Sequence, residues 1–223
     1  MALIKNPDDF GLTDDQLGMF ELFKENLLDW NQRMNLTAIT DDDSIWQKHF
    51  ADSLTLLPFL PPLPDSPSSF VNSPIRMIDV GSGAGFPGLP IKIVRPDISM
   101  VLLDSLRKRL VFLEDTIAKL RITDIKCIHA RAEDLSKKPE HRHGYDIVTA
   151  RAVARLDKLV KWCFPFVKPG GRFLAMKGPN VNDEVDEALP VIKRLRGEVV
   201  DIKYMEIMQG MVHSVVVVCY NGY

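Results

Sequence analysis

The residues most able to do chemistry lie in one short run, "IDVGSGAGFPGLP" (residues 78–90). There an apolar stretch breaks into four glycines, Gly81, Gly83, Gly85 and Gly88, within eight positions. Glycines at this density after a strand let backbone approach a ligand closely, because no other residue lacks a Cβ. A tight turn without a ligand is the plain alternative, and the strand–glycines–helix context favours the ligand. A GxGxxG dinucleotide pattern is formally present as Gly83, Gly85 and Gly88. It begins late, because Gly81 already follows the strand, and counted from Gly81 the sixth position is Phe86, too large for close helix–strand packing. No Gly-Lys-Ser/Thr follows, so a phosphate-binding Walker loop is excluded. What remains is an acid, Asp79, and then GxGxG.

Carboxylates at the other strand ends narrow the ligand. Asp104 closes the second candidate strand, where a doubly wound fold places an acid against ribose hydroxyls. Glu133 and Asp134, in "RAED", follow the third. In an open sheet these ends converge on one crevice. Acids there suit a ligand with hydroxyls, an exocyclic amine and a positive charge, and they repel a polyphosphate. Each alone reads equally as a surface residue or a helix cap; together they favour S-adenosylmethionine over NAD.

The elements that must position these residues follow from periodicity. Thr13 and Gln16 form a capping box, and Leu17, Phe20, Leu27, Trp30 and Met34 recur at helical spacing, which predicts a helix over residues 14–34. A second helix starts near Asp43 and runs through "SIWQKHFADSLTLL". Six prolines in residues 58–74 exclude a regular helix or central strand there and mark a linker. From residue 75 onward, candidate strands "IRMIDV", "SMVLLD", "IKCIHA", "DIVTA" and "RFLAMK" alternate with helical stretches, the signature of βαβ units and a mostly parallel sheet. "EVVDIKYMEI" and "HSVVVVCY", joined by a short turn, add an antiparallel hairpin at the end. Pro87 is expected to begin the helix after the glycines, where its missing N–H costs nothing, and Gly88 to permit close packing.

Composition bounds the partners. At 46% hydrophobic and 26% charged, the 223 residues read as an ordinary globular chain with no membrane-spanning run and no signal peptide, so the expectation is a cytoplasmic monomer. Cys127, Cys163 and Cys219 are odd in number and far apart, which predicts reduced core thiols and no metal site. The net charge of −2 hides an asymmetry. Residues 1–50 carry four Lys/Arg against ten Asp/Glu, whereas residues 151–177 carry seven (Arg151, Arg155, Lys158, Lys161, Lys168, Arg172, Lys177) against Asp157 alone. That stretch is either a face for a phosphate backbone or a solvated helix face.

The chain resembles the bacterial small-subunit ribosomal RNA guanine-N7 methyltransferases. The resemblance rests on "NLTAIT" and "WQKHFADSL" before the linker, then "IDVGSGAGFPGLPIKI", "LLDSLRKRLVFL", "ARAEDL", "YDIVTARAVARL" and "VKPGGRFLAMKG". "GSGAGFPGLP", "KHFADSL" and "TARAVA", in that order, are the specific part. It implies an α/β fold, the class I S-adenosylmethionine-dependent methyltransferase (Rossmann-like, mostly parallel sheet with an antiparallel C-terminal strand). Residues 1–57 would be an N-terminal helical segment, 58–74 the Pro-rich linker and 75–223 the methyltransferase domain. It further implies methyl transfer to N7 of a guanine in the decoding-region loop of 16S rRNA, with the rRNA or the small ribosomal subunit as partner. Cofactor contacts carry over to Gly81, Phe86, Asp104, Ser105, Leu106, Ala132, Glu133 and Arg151, joining Asp79, Gly83 and Gly85 from the loop itself. Arg151, Arg155, Lys158 and Lys177 are expected to face the RNA.

Guanine N7 carries an in-plane lone pair, so its attack on a sulfonium methyl needs orientation and a suitable electrostatic setting more than a base. No nucleophile or base constellation is visible: there is no Asn-Pro-Pro-aromatic motif, and Cys163 precedes Phe164 where cytosine-C5 enzymes have Cys-Pro. His49 reads as a hydrogen-bonded helix residue, and no catalytic residue is assigned. The competing readings are an NAD-dependent oxidoreductase using Gly83, Gly85 and Gly88, and a noncatalytic RNA-binding or ribosome-assembly protein with the same fold. Removal of the Asp104 carboxylate is expected to weaken cofactor binding and leave the fold intact.

Overall fold

The computed structural model describes residues 7–62, 74–151, 154–208 and 210–222. Seven strands form one sheet: β1 (Arg76–Val80), β2 (Ser99–Asp104), β3 (Ile125–His129), β4 (Tyr145–Arg151), β5 (Val167–Lys177), β6 (Gly197–Met208) and β7 (Met211–Tyr220). Their order is β3-β2-β1-β4-β5-β7-β6. The first five pair in parallel, and β7 runs antiparallel to both β5 and β6. The order reverses direction between β1 and β4, the topological switch where open α/β sheets open a ligand crevice. Both the βαβ alternation and the antiparallel hairpin are as expected from the sequence.

Helices cover both faces. One face carries α1 (Asp14–Asn31), α4 (Gly88–Val94) and α5 (Arg107–Leu120), together with α2 (Asp42–Ile45), a widened π turn over Trp46–Ala51, and α3 (Asp52–Leu54). Their shared core includes Phe20, Phe23, Leu27, Phe50, Phe86, Leu89 and Phe112. The other face carries α6 (Ala132–Leu135), α7 (Leu156–Cys163) and α8 (Asn182–Arg194), closed over Leu156, Leu159, Val160, Phe164, Val185 and Ile192. Strand residues alternate between the two cores, with Val215 and Val217 on the first and Val216 and Val218 on the second.

Local sequence explains α1. Thr13 N–H donates to Gln16 Oε1 (3.0 Å) and Gln16 N–H to Thr13 Oγ1 (3.3 Å), the expected capping box. The helix ends at Asn31, three residues short of the expectation, because Asn31 Oδ1 accepts the Leu36 and Thr37 N–H groups and turns the chain. Helix α1 then lies on α5: Asn26 Nδ2 donates to Thr116 Oγ1 (2.8 Å) and Trp30 Nε1 to Asp115 Oδ2 (2.8 Å). The N-terminal helices and the sheet therefore share one core. The expected second helix is present but interrupted by the π turn, a feature common at functional sites. Of the proline-rich linker, Leu57–Phe59 form a 3-10 turn, and residues 63–73 lie outside the described residues.

Gly88 packs as expected. A Cβ there would meet Leu102 Cδ2 at 2.5 Å and Asp79 Oδ2 at 3.0 Å, so only glycine lets α4 approach β1 and β2 this closely. Pro87 caps α4 rather than starting it. Gly88→Ala overpacks a filled site and is expected to cost about 1–3 kcal/mol. Thermal unfolding should show a midpoint lowered by several degrees, roughly 2–4 °C per kcal/mol at this size.

Candidate active site

The crevice at the carboxyl ends of β1, β2 and β3 is a cavity of about 280 Å³, lined by Val80, Gly81, Leu103, Asp104, Ser105, Ala130, Arg131, Ala132, Glu133 and Trp162. Five expected cofactor residues, Gly81, Asp104, Ser105, Ala132 and Glu133, meet there. The rest of the glycine loop shapes the crevice from behind. Gly81 and Ser82 N–H groups both donate to Leu103 C=O (2.8 and 3.0 Å), which ties the end of β1 to the end of β2. Gly83 has φ +59° and Gly85 φ +90°, conformations that side chains disfavour. At Gly85 a Cβ would also strike Leu89 Cδ1 at 2.7 Å.

Asp104 is only 2% exposed. Its Oδ2 accepts from Gly83 N–H (2.9 Å) and from Arg109 Nη1 (3.3 Å), and its Oδ1 from Leu106 N–H (2.8 Å). The carboxylate thus braces the glycine loop against the start of α5 in addition to lining the cavity. Leu106 contributes its amide to Asp104 while its side chain is exposed. This corrects the expectation that loss of Asp104 would spare the fold, because its removal strands backbone donors. Glu133, in the first turn of α6, is exposed at the rim.

Asp79 lies beneath the loop, fully buried. Oδ2 accepts from Gly88 N–H (3.1 Å), and Oδ1 has no hydrogen-bond partner among the described residues. Burial pushes its pKa up to about 7, against the pull of the Gly88 hydrogen bond and the Arg151 charge. Its carboxyl does not line the cavity.

Phe86 and Arg151 turn the other way, toward the N-terminal helices. The Phe86 ring stacks on His49 (4.5 Å between centroids, 18° between planes) and on Phe23 (5.3 Å), with the Arg151 guanidinium 5.0 Å from its centroid. Arg151 Nη1 donates to Asp52 Oδ2 (2.7 Å) and to Lys48 C=O (3.1 Å). Burial works to raise the Asp52 pKa, but the His213 hydrogen bond and the Arg151 charge outweigh it and hold the carboxyl below its usual value. His49 is hydrogen-bonded, its Nε2 lying 2.8 Å from Thr37 Oγ1, as expected of a helix residue. Burial, reinforced by Arg151, lowers its pKa to about 4.

The residues expected to face RNA are differently placed. Arg155 pairs with Glu187, and Lys177 with Glu184 (2.7 Å) and Ala154 C=O (2.9 Å), so both are engaged by α8 or its neighbours. Lys158 is exposed on α7. The basic stretch is thus substantially neutralised by acids distant in sequence. Cys163 is fully buried and its thiol is pushed up by burial, in keeping with a core role. Among the described residues no group of His, Cys, Asp and Glu could hold a metal, and no helix is long and apolar enough to cross a membrane. Sequence reasoning missed Trp162 and Arg131. A half-buried tryptophan in an amphipathic helix carries no signal of its own, whereas Arg131 stood in the same "RAED" that pointed to Glu133.

The sequence profile of the family described as "rRNA small subunit methyltransferase G" matches residues 16–211. The chain belongs to this family. Relatives named ribosomal RNA small subunit methyltransferase G include those of Clostridium kluyveri, 46% identical over 89% of this chain and 81% of that protein, and Acetivibrio thermocellus, 46% identical over 90% and 79%. A SAM-dependent methyltransferase of Aquifex aeolicus superposes with a TM-score of 0.54 at 17% identity, over 80% of this chain and 94% of that one. That likeness places the sheet in the class I methyltransferase fold. In a methyltransferase G chain the dinucleotide register of Gly83, Gly85 and Gly88 loses its meaning, since Gly88 is occupied with packing α4 on β1, and the oxidoreductase reading falls.

Two buried groups set opposing pH dependences. Unfolded Asp79 titrates near 3.8 and folded Asp79 near 7, so its contribution to stability declines as pH rises through that window. His49, near 6.5 unfolded and 4 folded, costs stability as pH falls through its own. Between about pH 4 and 6.5 the two offset each other. Asp79→Asn removes one of them, and its unfolding free energy, read by denaturant titration, should fall more steeply on acidification than the parent's, by up to about 1.4 kcal/mol per pH unit. Asp104→Ala should weaken both cofactor binding and the stability of the fold, each by about 1.5–3 kcal/mol, as read by calorimetry and thermal unfolding.

Proposed function

We propose that this protein transfers the methyl group of S-adenosylmethionine to N7 of a guanine in the decoding-region loop of 16S rRNA, acting on the rRNA or the small subunit. The observation that carries the reading is the donor set of the cavity. An exposed carboxylate, Glu133, and the oxygen-rich edge formed by Asp104 and Ser105 flank a glycine loop with no phosphate-binding lysine, a setting for ribose hydroxyls and a cation. In this reading Asp104 and Glu133 take the ribose hydroxyls, Ser105 and Ala132 border the adenine, and the half-buried Trp162 offers it an apolar wall. Gly81, Gly83 and Gly85 keep backbone close to the amino-acid end, with Asp79 beneath them. Phe86 and Arg151 act by holding the loop in place from the helical side.

When bound, S-adenosylmethionine supplies a methyl group on a positively charged sulfur. The chain's own part is to align guanine N7 with that methyl and to exclude water, and no residue need remove a proton before attack. Lys158 is the remaining candidate for a phosphate contact among the three basic residues past β4, Arg155 and Lys177 being committed to α8.

Purified protein, undermethylated small subunits and labelled S-adenosylmethionine provide the test. Mass spectrometry should place one N7-methylguanosine in the decoding region. Tight cofactor binding with no transfer would instead favour a noncatalytic assembly protein. Glu133→Gln should weaken cofactor affinity by roughly tenfold with an unchanged unfolding midpoint, because this carboxylate, unlike Asp104, braces nothing.

A further inference from the structure

Asp52 divides its two oxygens between two partners. Oδ2 accepts from Arg151, the last residue of β4, and Oδ1 accepts from Nδ1–H of His213 on β7. His213 is 8% exposed, and its remaining ring nitrogen, Nε2, is buried with no hydrogen-bond partner among the described residues. In the neutral form, an imidazole whose Nδ1–H is fixed by a carboxylate presents Nε2 as an acceptor. A buried acceptor left without a donor is uncommon, because it forfeits its hydration for nothing.

Its place in the fold says what donor it can meet. Ser214 pairs with Lys177, the last residue of β5, so His213 lies just past the carboxyl end of β5, level with the end of β4. It is therefore on the same edge of the sheet as the glycine loop, joined to it through Asp52, Arg151 and Phe86. The cavity assigned to the cofactor opens at β1, β2 and β3, on one side of Gly81. In the order β3-β2-β1-β4-β5-β7-β6, the ends of β4 and β5 lie on the other side of the glycine loop and are left for a methyl acceptor. His213 is buried at that end of the sheet, opposite the residue that follows β5.

We propose that His213, held by Asp52, accepts a hydrogen bond from the N1–H edge of the guanine being methylated and is thereby a specificity-determining residue. The proposal rests on the guanine-N7 reading given above. N7 reacts on one edge of the base, which leaves the Watson–Crick edge free to be read. Guanine presents a donor at N1 where adenine presents an acceptor, so an Nε2 acceptor pairs with the first and opposes the second. The donor displaces whatever covers Nε2, and the contact forms as the base seats.

Wild type, His213→Asn and His213→Gln are compared on undermethylated small subunits, and on subunits rebuilt with 2-aminopurine, which lacks the N1 proton, at the target position. Asn reproduces the Nδ1 position and Gln the Nε2 position. The expected result is a loss of roughly ten- to a hundredfold in kcat/KM for Asn, partial rescue by Gln, and cofactor affinity unchanged in both. Wild type should favour guanine over 2-aminopurine by a similar factor, and the Asn variant should not. Equal rates for Asn and wild type overturn the proposal, as does a fall in cofactor affinity that tracks the fall in rate. If the Asn variant fails to fold, wild type methylating 2-aminopurine as fast as guanine overturns it instead. Absence of any guanine methylation by wild type would show in the control arm and would count against the guanine reading itself.

Discussion

The ion pair between Arg151 and Asp52 joins residues 99 positions apart and is the contact on which the rest of the structure turns. Both side chains are largely buried, at 16% and 11% exposure. Two charges withdrawn from water are tolerated only when their remaining hydrogen-bonding capacity is met. Here it is met, by Lys48 C=O on one side and His213 on the other. The guanidinium also covers the Phe86 ring, and Phe86 belongs to the glycine loop. One cation thus fixes three things at once: the end of β4, the π turn of the N-terminal layer and the back of the ligand loop. The helical layer is in this sense part of the site, although none of its residues lines the cavity.

Asp104 does the corresponding work on the other side. It gathers two backbone N–H groups from separate loops, one after β1 and one at the start of α5. A carboxylate that bonds amides is charge-assisted and directional, so it sets both position and field. Between Arg151 behind and Asp104 in front, the glycine loop has little freedom left. Its positive-φ glycines fix its shape, and the two charged residues fix its place.

Much of this was legible in the chain. Strand ends and glycine spacing located the crevice because they depend on neighbours within a few residues, and Asp104 and Glu133 fell where a doubly wound sheet must place them. Gly88 was readable as a packing glycine for the same reason. The partners of Arg151, Arg155 and Lys177 were not readable, since Asp52, Glu187 and Glu184 are distant in sequence and nothing in composition pairs them. Arg155 and Lys177 therefore looked like a free basic face, when the end of β5 and the start of α7 set them against the acids of α8. Phe86 could have packed or contacted a ligand; the helices above it settle its ring among aromatics. His213 left no trace, because a lone histidine before a valine run resembles any strand start.

The sheet has two open edges, and each is made unattractive to a foreign strand. At one, β3 is only five residues long and carries Lys126 and His129. At the other, the 12-residue β6 departs from even register near Val199 and Asp201, and again between Glu206 and Met208, and presents Glu198, Asp201, Lys203 and Glu206 along its length. Short strands, irregular pairing and interspersed charges are the devices by which natural sheets resist edge-to-edge growth. The longest strand of the sheet therefore offers a foreign strand no even ladder to extend.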